Sequence, residues 1–305
     1  MDKIIITTGD PNGIGAEITM KALKALNLPK EKIAIISNKK ILNYYGKLDK
    51  NYEIIEIPYN ENDIKAGQVT KEAGEFSFQS LKLACELKPK AIVTAPVAKN
   101  ALHLAGHNFN GQTEVLQHFL AHDKQLAEML FVANGFRVLL LTRHCALKEI
   151  TLTQDVVVTK IKNLVKTFQK QFSINNPKFA LCGFNPHSGE DGILGREEID
   201  ILIPAVQELQ NAGIDITMPL PADTLFVDAA KNYLKNTKDK YDCYIANYHD
   251  QGLIPIKTVA GENTVNMTIG LDIVRTSPGH GTAFDIAGKN IASPNGMIAA
   301  IKEVL

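Results

Sequence analysis

The chain has 305 residues, 45% of them hydrophobic and 22% charged, a composition that excludes wholesale disorder and predicts about two domains at roughly 150 residues each. Its 33 Lys and Arg balance its 33 Asp and Glu, so the basic surface of a nucleic-acid-binding protein is not expected. The apolar runs are shorter than a membrane span, the start MDKIIITTGD lacks a signal-peptide pattern and the four cysteines form no CxxC pair, so we expect a cytoplasmic protein with no membrane partner.

Short β-branched runs followed by helical periods recur along the chain. Strands alternating with helices predict an α/β fold with mostly parallel sheets and helices on both faces. Within 128–142, two apolar runs joined by Asn134 and Gly135 predict a β-hairpin. Helical spacing predicts a surface helix over 155–172 and another over 199–213 that ends at Gly213. The strand-like runs are KIIITTG (3–9), KAIVTAP (90–96), KFALCGF (178–184) and DCYIANY (242–248).

Two glycine-rich segments are candidate binding loops. GDPNGIG (9–15) stands between a predicted strand and a predicted helix, where backbone N–H groups can hold a phosphate or carboxylate. The alternative is a tight turn that uses glycine for its backbone freedom. The second segment, HGTAFDIAGKNIASPNG (280–296), contains Asp285, which can accept hydrogen bonds from ribose hydroxyls.

Three histidines follow predicted strands directly. His144 follows RVLLLTR, His187 follows FALCGFNP and His249 follows CYIANY. Ligands of open α/β sheets bind beyond the carboxyl ends of the strands. Three imidazoles at one such edge would suit a divalent metal ion with an open fourth position. Each alone is more typical of a solitary loop histidine, and the equivalent placement of all three favours the metal.

Cations in polar motifs are candidates for holding an anionic substrate. Lys99 and Lys257 are weak candidates because surface lysines are common. Arg275 is stronger because its planar guanidinium matches phosphate and carboxylate and it directly follows an apolar run.

The chain contains an ordered series of longer motifs. They are GDPNGIGAE, TAPVAK, NGQTE, LTRHCAL, FNPHSGEDGILGREE, PLPADTLF, NYHDQGLIPIK and VNMTIGLDIVRTSPGHGTAFDIAG. Together they resemble the 4-hydroxythreonine-4-phosphate dehydrogenase family of vitamin B6 biosynthesis, and the resemblance runs from residue 7 to about residue 290. The segment 280–294 is also similar to the adenosine-binding loop of isopropylmalate-type decarboxylating dehydrogenases.

The resemblance implies a two-domain isopropylmalate dehydrogenase-like fold in a homodimer with a shared active site. One domain would combine 1–107 with 277–305, and the middle segment, 108–276, would carry the metal ligands and the dimer contact. One metal ligand would come from the partner chain.

The resemblance also implies roles for individual residues. NAD, with NADP as the alternative, and one zinc, cobalt or magnesium ion would be the cofactors of a dehydrogenase acting on a CH–OH group. Lys257 and Arg275 would be catalytic. The metal ligands would be His144, His187 and His249; the substrate contacts Gln112, Thr113, Lys257, Asn266 and Arg275; and the cofactor contacts His280, Gly281, Thr282, Ala283, Asp285 and Ser293.

Two positions depart from the family pattern. Gln112 stands where the family usually has His, and Gly279 where it usually has Asp. A glutamine can donate a hydrogen bond but cannot carry a proton as histidine does. We therefore expect these positions to affect substrate choice and rate more than fold or metal binding.

The expected reaction is oxidation of 4-phosphohydroxy-L-threonine to 2-amino-3-oxo-4-phosphooxybutanoate, which loses CO2 to give 3-amino-2-oxopropyl phosphate. Asp285 would favour NAD by repelling a 2′-phosphate. One alternative is the same chemistry on threonate or erythronate phosphate. A second is a metal-dependent lyase or hydrolase with Glu190 as acid/base, and a third is a binding protein without catalysis.

Overall fold

A computed structural model describes residues 2–122 and 125–305 of the chain. These residues form two compact units, one made of Met1–Ala127 with Val265–Leu305 and the other of Glu128–Thr264. Helices alternate with strands in both units. In the part of the chain that the structure describes, no helix combines the length and the apolar character needed to cross a membrane.

The first unit begins with four parallel strands connected through helices. Strands β1 to β4 have the order β3-β2-β1-β4 in the sheet. The connection from β3 to β4 therefore crosses to the other side of β1, and the strand order reverses between β1 and β4. The strands are β1 Ile4–Thr7, β2 Ile33–Ser37, β3 Glu53–Glu56 and β4 Ala91–Thr94, and the helices are α1 Gly15–Leu26, α2 Lys39–Tyr45, α3 Lys71–Glu86, α4 Lys99–Leu104 and α5 Gln112–Leu120.

The strands of the second unit have the order β5-β6-β9-β7-β8. Strands β5 and β6 form the antiparallel hairpin predicted at Asn134-Gly135, whose φ angles of 44° and 87° suit a tight two-residue turn. The other neighbouring strands run parallel. The strands are β5 Glu128–Ala133, β6 Phe136–Leu140, β7 Lys178–Leu181, β8 Asp215–Ile216 and β9 Cys243–Ala246, and the helices are α6 Gln154–Gln171, α7 Ile203–Asn211, α8 Ala222–Lys235 and α9 His249–Ala260.

The chain then returns to the first unit. Strands β10 (Val265–Ile269) and β11 (Val274–Pro278) pair antiparallel, and β11 lies parallel to β4. Helix α10 (Asn295–Lys302) follows the second glycine-rich segment. The sheet of the first unit therefore has the order β3-β2-β1-β4-β11-β10.

Strand β1 is almost wholly apolar because both of its faces are covered. In β1, Ile4 and Ile6 belong to one apolar cluster, whereas Ile5 belongs to another that includes residues of α3 and α5. Such runs are typical of parallel strands buried on both sides. Thr70 and Thr153 cap the N-termini of α3 and α6, because their hydroxyls accept N–H groups of the first turn.

Two features differ from the sequence expectations. The units divide at 127/128 and 264/265, whereas the predicted domains divide at 107/108 and 276/277. The physical reason is that α5 packs against α3, and β10 is hydrogen-bonded to β11. The helix predicted over 199–213 starts with a π turn at Glu198–Leu202, because Pro204 cannot donate the hydrogen bond of a regular α turn.

Candidate active site

The three strand-end histidines belong to loops that leave one edge of the second unit's sheet. Strands β6, β9 and β7 are neighbours and run parallel, so their carboxyl ends share that edge. His144 lies beyond β6, His249 begins α9 directly after β9, and His187 lies in the loop after β7. The fold therefore brings the loops of all three predicted metal ligands to the same side of the sheet.

A buried asparagine joins these strand ends. The backbone N–H and the hydroxyl of Thr142 donate to the carbonyl oxygen of Asn247, at 3.1 and 2.7 Å. The Nδ2 of Asn247 donates to the carbonyl oxygen of Cys182 at 2.9 Å. Gln251 accepts the N–H of Asn247 and donates to the carbonyl oxygen of Gly183, both at 2.7 Å. These bonds fix the spacing of the three loops where they leave the sheet.

Two of the three histidine rings lie close together. The ring centroids of His144 and His249 are 5.3 Å apart, and both residues line a cavity of about 260 Å³. The Nδ1 of His249 donates to Oδ1 of Asp250 at 2.7 Å, so Nε2 is the ring nitrogen that could bind a metal ion. A carboxylate on the second ring nitrogen is the usual arrangement of metal-binding histidines.

His187 is not part of this close pair. It begins five successive residues, His187 to Asp191, with φ between 45° and 82°, a left-handed turn. The buried carboxylate of Glu198 holds the start of this turn by accepting the backbone N–H of Asn185 at 2.7 Å and its Nδ2 at 2.9 Å. Within residues 2–122 and 125–305, no group of three His, Cys, Asp or Glu side chains is placed to hold a metal ion.

The residues at this edge nevertheless fit a divalent cation. The adjacent imidazoles of His144 and His249 are of the ligand type that a divalent transition-metal ion prefers. Imidazole donors suit zinc and cobalt, and substrate oxygens would complete the set. Glu190, the acid/base of the lyase alternative, is exposed in the same left-handed turn as His187.

The first unit contains a buried arginine. Arg275, on β11, donates through Nε to Thr94 Oγ1 at 2.8 Å and through Nη1 to Thr268 Oγ1 at 3.4 Å. Burial lowers the pKa of its guanidinium to about 9, and the carboxylate of Glu114 opposes that shift. A buried cation that is bonded to hydroxyls is costly, and an anionic ligand would offset that cost.

Unsatisfied amide oxygens occur at two further predicted substrate contacts. Gln112, the first residue of α5, donates through Nε2 to the carbonyl oxygen of Ala95 at 3.2 Å. Its buried Oε1 and the buried Oδ1 of Asn266 have no hydrogen-bond partner among the residues described. Buried polar atoms in this state suit a ligand that carries hydrogen-bond donors. Thr113 is buried beside Gln112 in the first turn of α5.

Lys257 belongs to the other unit. It is exposed on α9, eight residues after His249, which separates the two backbones by about 12 Å along the helix. This spacing suits contacts with different groups of one substrate rather than with one atom.

The segment GDPNGIG forms a tight turn, which favours the second interpretation of this glycine-rich segment. Three of its N–H groups donate to backbone carbonyl oxygens of the protein: Asp10 to Pro96, Gly13 to Asp10, and Ile14 to Thr282. Burial raises the pKa of the Asp10 carboxyl to about 6, although the N–H groups of Asn12 and Ala98 oppose this. The turn lies between the ends of β1 and β4, the point where the strand order reverses.

The predicted cofactor contacts lie together on the loop between β11 and α10. Gly281, Asp285 and Ser293 are exposed, and His280, Thr282 and Ala283 are partly exposed. A Cβ at Gly281 would meet no described atom within 4 Å, so there is open space beside the backbone. An accessible glycine-rich loop with an exposed carboxylate fits the adenosine half of a dinucleotide.

Three residues that hold the strand ends and loops together are not among those predicted from the sequence. They are Asn247, Gln251 and Glu198, and all three lie within the quoted motifs. The sequence offers one signal for Asn247, namely its position directly after β9. From that position a polar side chain can reach the neighbouring strand ends.

The two α/β units share their fold with a β-decarboxylating dehydrogenase. The structure superposes on the β-decarboxylating dehydrogenase of Thermococcus kodakarensis with a TM-score of 0.54 at 15% identity, covering 98% of this chain and 81% of the other. That likeness shows the fold alone.

Residues 3–304 match the family model described as pyridoxal phosphate biosynthetic protein PdxA, and the chain belongs to this family. It is 37% identical to 4-hydroxythreonine-4-phosphate dehydrogenase of Sulfurihydrogenibium sp. (strain YO3AOP1), over 99% of this chain and 97% of that protein. It is also 37% identical to D-threonate 4-phosphate dehydrogenase of Salmonella typhimurium (strain LT2), over 98% and 97%. A crystal structure of 4-hydroxythreonine-4-phosphate dehydrogenase from Klebsiella pneumoniae superposes with a TM-score of 0.85 at 33% identity, covering 100% of this chain and 98% of the other.

These matches confirm three predictions from the sequence: the α/β fold class, the family resemblance and the enzyme class, a dehydrogenase acting on a CH–OH group. They do not support the lyase or hydrolase alternative, which belongs to a different enzyme class.

Proposed function

We propose that the chain oxidises 4-phosphohydroxy-L-threonine to 2-amino-3-oxo-4-phosphooxybutanoate, which then loses CO2 to give 3-amino-2-oxopropyl phosphate. The observation that carries this proposal is the buried Arg275 in the same unit as the unsatisfied oxygens of Gln112 and Asn266. Together they call for a ligand with both an anionic group and hydrogen-bond donors. This substrate offers a carboxylate, a phosphate, an ammonium group and a hydroxyl.

The side chains of the first unit have distinct tasks in this proposal. Arg275 binds an anionic group of the substrate through its guanidinium, whose other donors are held by Thr94 and Thr268. The carbonyl of Ala95 fixes the amide of Gln112, so that Gln112 presents an acceptor oxygen to the substrate. Asn266 presents a second acceptor, and Thr113, buried in the first turn of α5, is a further substrate contact. These contacts orient the secondary alcohol of the substrate for hydride transfer.

We propose metal-binding, cofactor and substrate roles for the following groups as well. When bound, a divalent cation would polarise the substrate hydroxyl as a Lewis acid, and NAD would accept the hydride. His144, His187 and His249 would hold the metal ion, which we propose is zinc, cobalt or magnesium. Lys257 binds a distal anionic group, because its position on α9 lies about two turns beyond His249.

The loop residues His280, Gly281, Thr282, Ala283, Asp285 and Ser293 hold the dinucleotide. The exposed carboxylate of Asp285 would accept hydrogen bonds from ribose hydroxyls and repel a 2′-phosphate, so NAD is favoured over NADP. A kinetic preference for NADP would contradict this part of the proposal.

We also propose a cytoplasmic homodimer in which the partner chain contributes one metal ligand. Apolar side chains next to the His187 turn support a protein contact there: Ile193 is 78% exposed, Leu194 43% and Ile199 37%. Exposed apolar groups of this kind mark interaction surfaces. A monomer in light-scattering measurements would contradict this.

A second candidate substrate is D-threonate 4-phosphate, because a relative at 37% identity bears that name. Its hydroxyl, like the ammonium group of 4-phosphohydroxythreonine, can donate to the oxygen of Gln112. The two candidates differ in charge, and the ammonium group makes the stronger hydrogen bond to an amide oxygen.

The test compares initial rates of NADH formation on 4-phosphohydroxythreonine, D-threonate 4-phosphate and erythronate 4-phosphate. We expect the highest kcat/KM for the first. A higher value for D-threonate 4-phosphate would replace the substrate and keep the enzyme class. A chain that binds no NAD in calorimetry would contradict the proposed chemistry.

A further inference from the structure

Two side chains of α1 bind the backbone of the predicted cofactor loop, 279–294. Oε1 of Glu17 accepts the N–H of Ala292 at 2.8 Å, and the Nζ of Lys21 donates to the same Oε1 at 2.7 Å. Lys21 Nζ also donates to the carbonyl oxygens of Asn290 and Ala292, both at 3.0 Å. One acid and one base thus bond three backbone groups of the loop.

The start of the same helix holds the other end of the loop. The N–H of Ile14 donates to the carbonyl oxygen of Thr282 at 3.1 Å. Gly13 allows this approach, because a Cβ there would lie 3.0 Å from that oxygen and 3.1 Å from the Cβ of Thr282. Both ends of the loop are therefore bound to one segment of the chain, residues 13–21.

The loop between these points depends on such contacts for its shape. It contains no regular helix or strand, and Ala283 and Asn290 adopt left-handed backbone angles with φ of 45° and 57°. Left-handed angles cost energy for residues other than glycine and persist only where the surroundings fix them. Glu17 is 2% exposed, so its bonds to Ala292 and Lys21 are shielded from competing water.

We propose that Glu17 and Lys21 are positioning residues that hold this loop in the conformation that binds the dinucleotide. The inference rests on the proposed function, in which the loop binds NAD. Neither side chain needs to touch the cofactor, because both act through the backbone at Asn290 and Ala292, next to Ser293. Their loss should weaken cofactor binding and leave the substrate contacts of Arg275 and Gln112 intact.

We expect substitution of Lys21 to weaken cofactor binding without changing substrate binding. Lys21→Met keeps the apolar stem and removes the bonds to Glu17, Asn290 and Ala292, so we expect the Kd for NAD to rise about tenfold or more. Lys21→Arg, which can still donate to several oxygens, should restore most of the affinity. At saturating NAD, kcat and the KM for the phosphorylated substrate should stay within about twofold of the wild-type values.

The experiment measures NAD affinity by calorimetry and both KM values for the wild-type chain, Lys21→Met, Lys21→Arg and Glu17→Gln. Lys24→Met, at an exposed position on the same helix, is the matched control, and thermal melting verifies folding. Hydrogen exchange of peptides containing Ala292 should be faster in Lys21→Met than in the control. That result, with the raised Kd and its recovery in Lys21→Arg, supports the inference.

An unchanged Kd in a folded Lys21→Met would overturn the inference while leaving the proposed function in place. A loss confined to kcat, or an equal rise in both KM values, would also overturn it. A wild-type chain without NAD affinity would overturn the proposed cofactor, and the inference with it.

Discussion

Asn247 Nδ2 donates to the carbonyl oxygen of Cys182 at 2.9 Å, and this hydrogen bond joins the carboxyl ends of two neighbouring parallel strands. The backbone carbonyl oxygen of Asn247 accepts two hydrogen bonds from Thr142, which lies just beyond the end of a third strand. Each strand leads into a loop with one of the predicted metal ligands. The asparagine therefore controls how far apart those loops begin.

Replacing Asn247 by Ala should reduce both stability and metal affinity. The change leaves the buried carbonyl of Cys182 without its donor, at a cost of about 1–3 kcal/mol in the free energy of unfolding. We expect the affinity for zinc or cobalt to fall about 10- to 100-fold, as for other groups that position metal ligands. Urea denaturation and competition with a chromophoric chelator measure the two effects.

Asn134→Ala is the matched control for that variant, because Asn134 donates its side-chain amide to Asn236 at an exposed position in the hairpin turn. Metal affinity should be unchanged there. Equal metal affinity in both variants would show that Asn247 does not position the histidines.

Replacing Arg275 by Lys should change both the rate and its pH dependence. The guanidinium has a pKa of about 9 in the folded chain, so Arg275 is charged below that pH and loses its proton above it. Because the cation binds the substrate's anionic group, kcat/KM should fall as the pH rises through about 9. Lysine has a lower ordinary pKa, and burial lowers it further, so the decline should begin at lower pH in Arg275→Lys.

We also expect kcat/KM of Arg275→Lys to be about 10- to 100-fold lower near neutral pH, because one ammonium group cannot reproduce the guanidinium's several donors. Ionisation of the substrate itself is common to both proteins and cancels in the comparison. An identical pH profile for the two would rule out Arg275 as the source of the decline.

Asp10→Asn should stabilise the protein at neutral pH. Burial raises the pKa of this carboxyl from 3.8 to about 6, so the folded state binds more protons than the unfolded state between those values. The contribution of Asp10 to stability therefore falls as the pH rises from about 4 to about 6 and is constant above. An asparagine oxygen can still accept the N–H of Asn12, without the cost of a buried charge.

Urea denaturation at pH 4.5 and pH 8 measures this difference. The gain of Asp10→Asn over the wild-type chain should be larger at pH 8, by on the order of 2 kcal/mol. A gain that is the same at both pH values would show that Asp10 has its ordinary pKa in the folded protein.

Features encoded in short segments could be predicted from the sequence. The hairpin at Asn134-Gly135 follows from local turn chemistry, and the placement of His144 and His249 follows from their positions after buried strands. The proximity of their rings needed the order of the strands, because residues far apart in sequence meet only through the sheet.

Long-range polar contacts could not be predicted from one sequence. The bond between Glu17 and Ala292 joins residues 275 positions apart, and no local pattern marks either as a partner of the other. The orientation of Gln112 likewise depends on the carbonyl of Ala95, which belongs to another element. The unit boundary at 127/128 depends on the packing of α5 on α3, a contact that hydrophobic periodicity alone does not specify.

The most direct test of the central claim is NADH formation from 4-phosphohydroxythreonine before and after removal of divalent cations. The comparison includes His187→Ala and, as a matched control, His122→Ala. His122 is an exposed histidine of the first unit, 3.7 Å from the carboxylate of Asp272. We expect activity that is lost with the metal and restored by zinc, cobalt or magnesium. We also expect a loss of more than about 100-fold in His187→Ala and none in His122→Ala. Full activity in the metal-free protein, or in His187→Ala, would contradict the central claim.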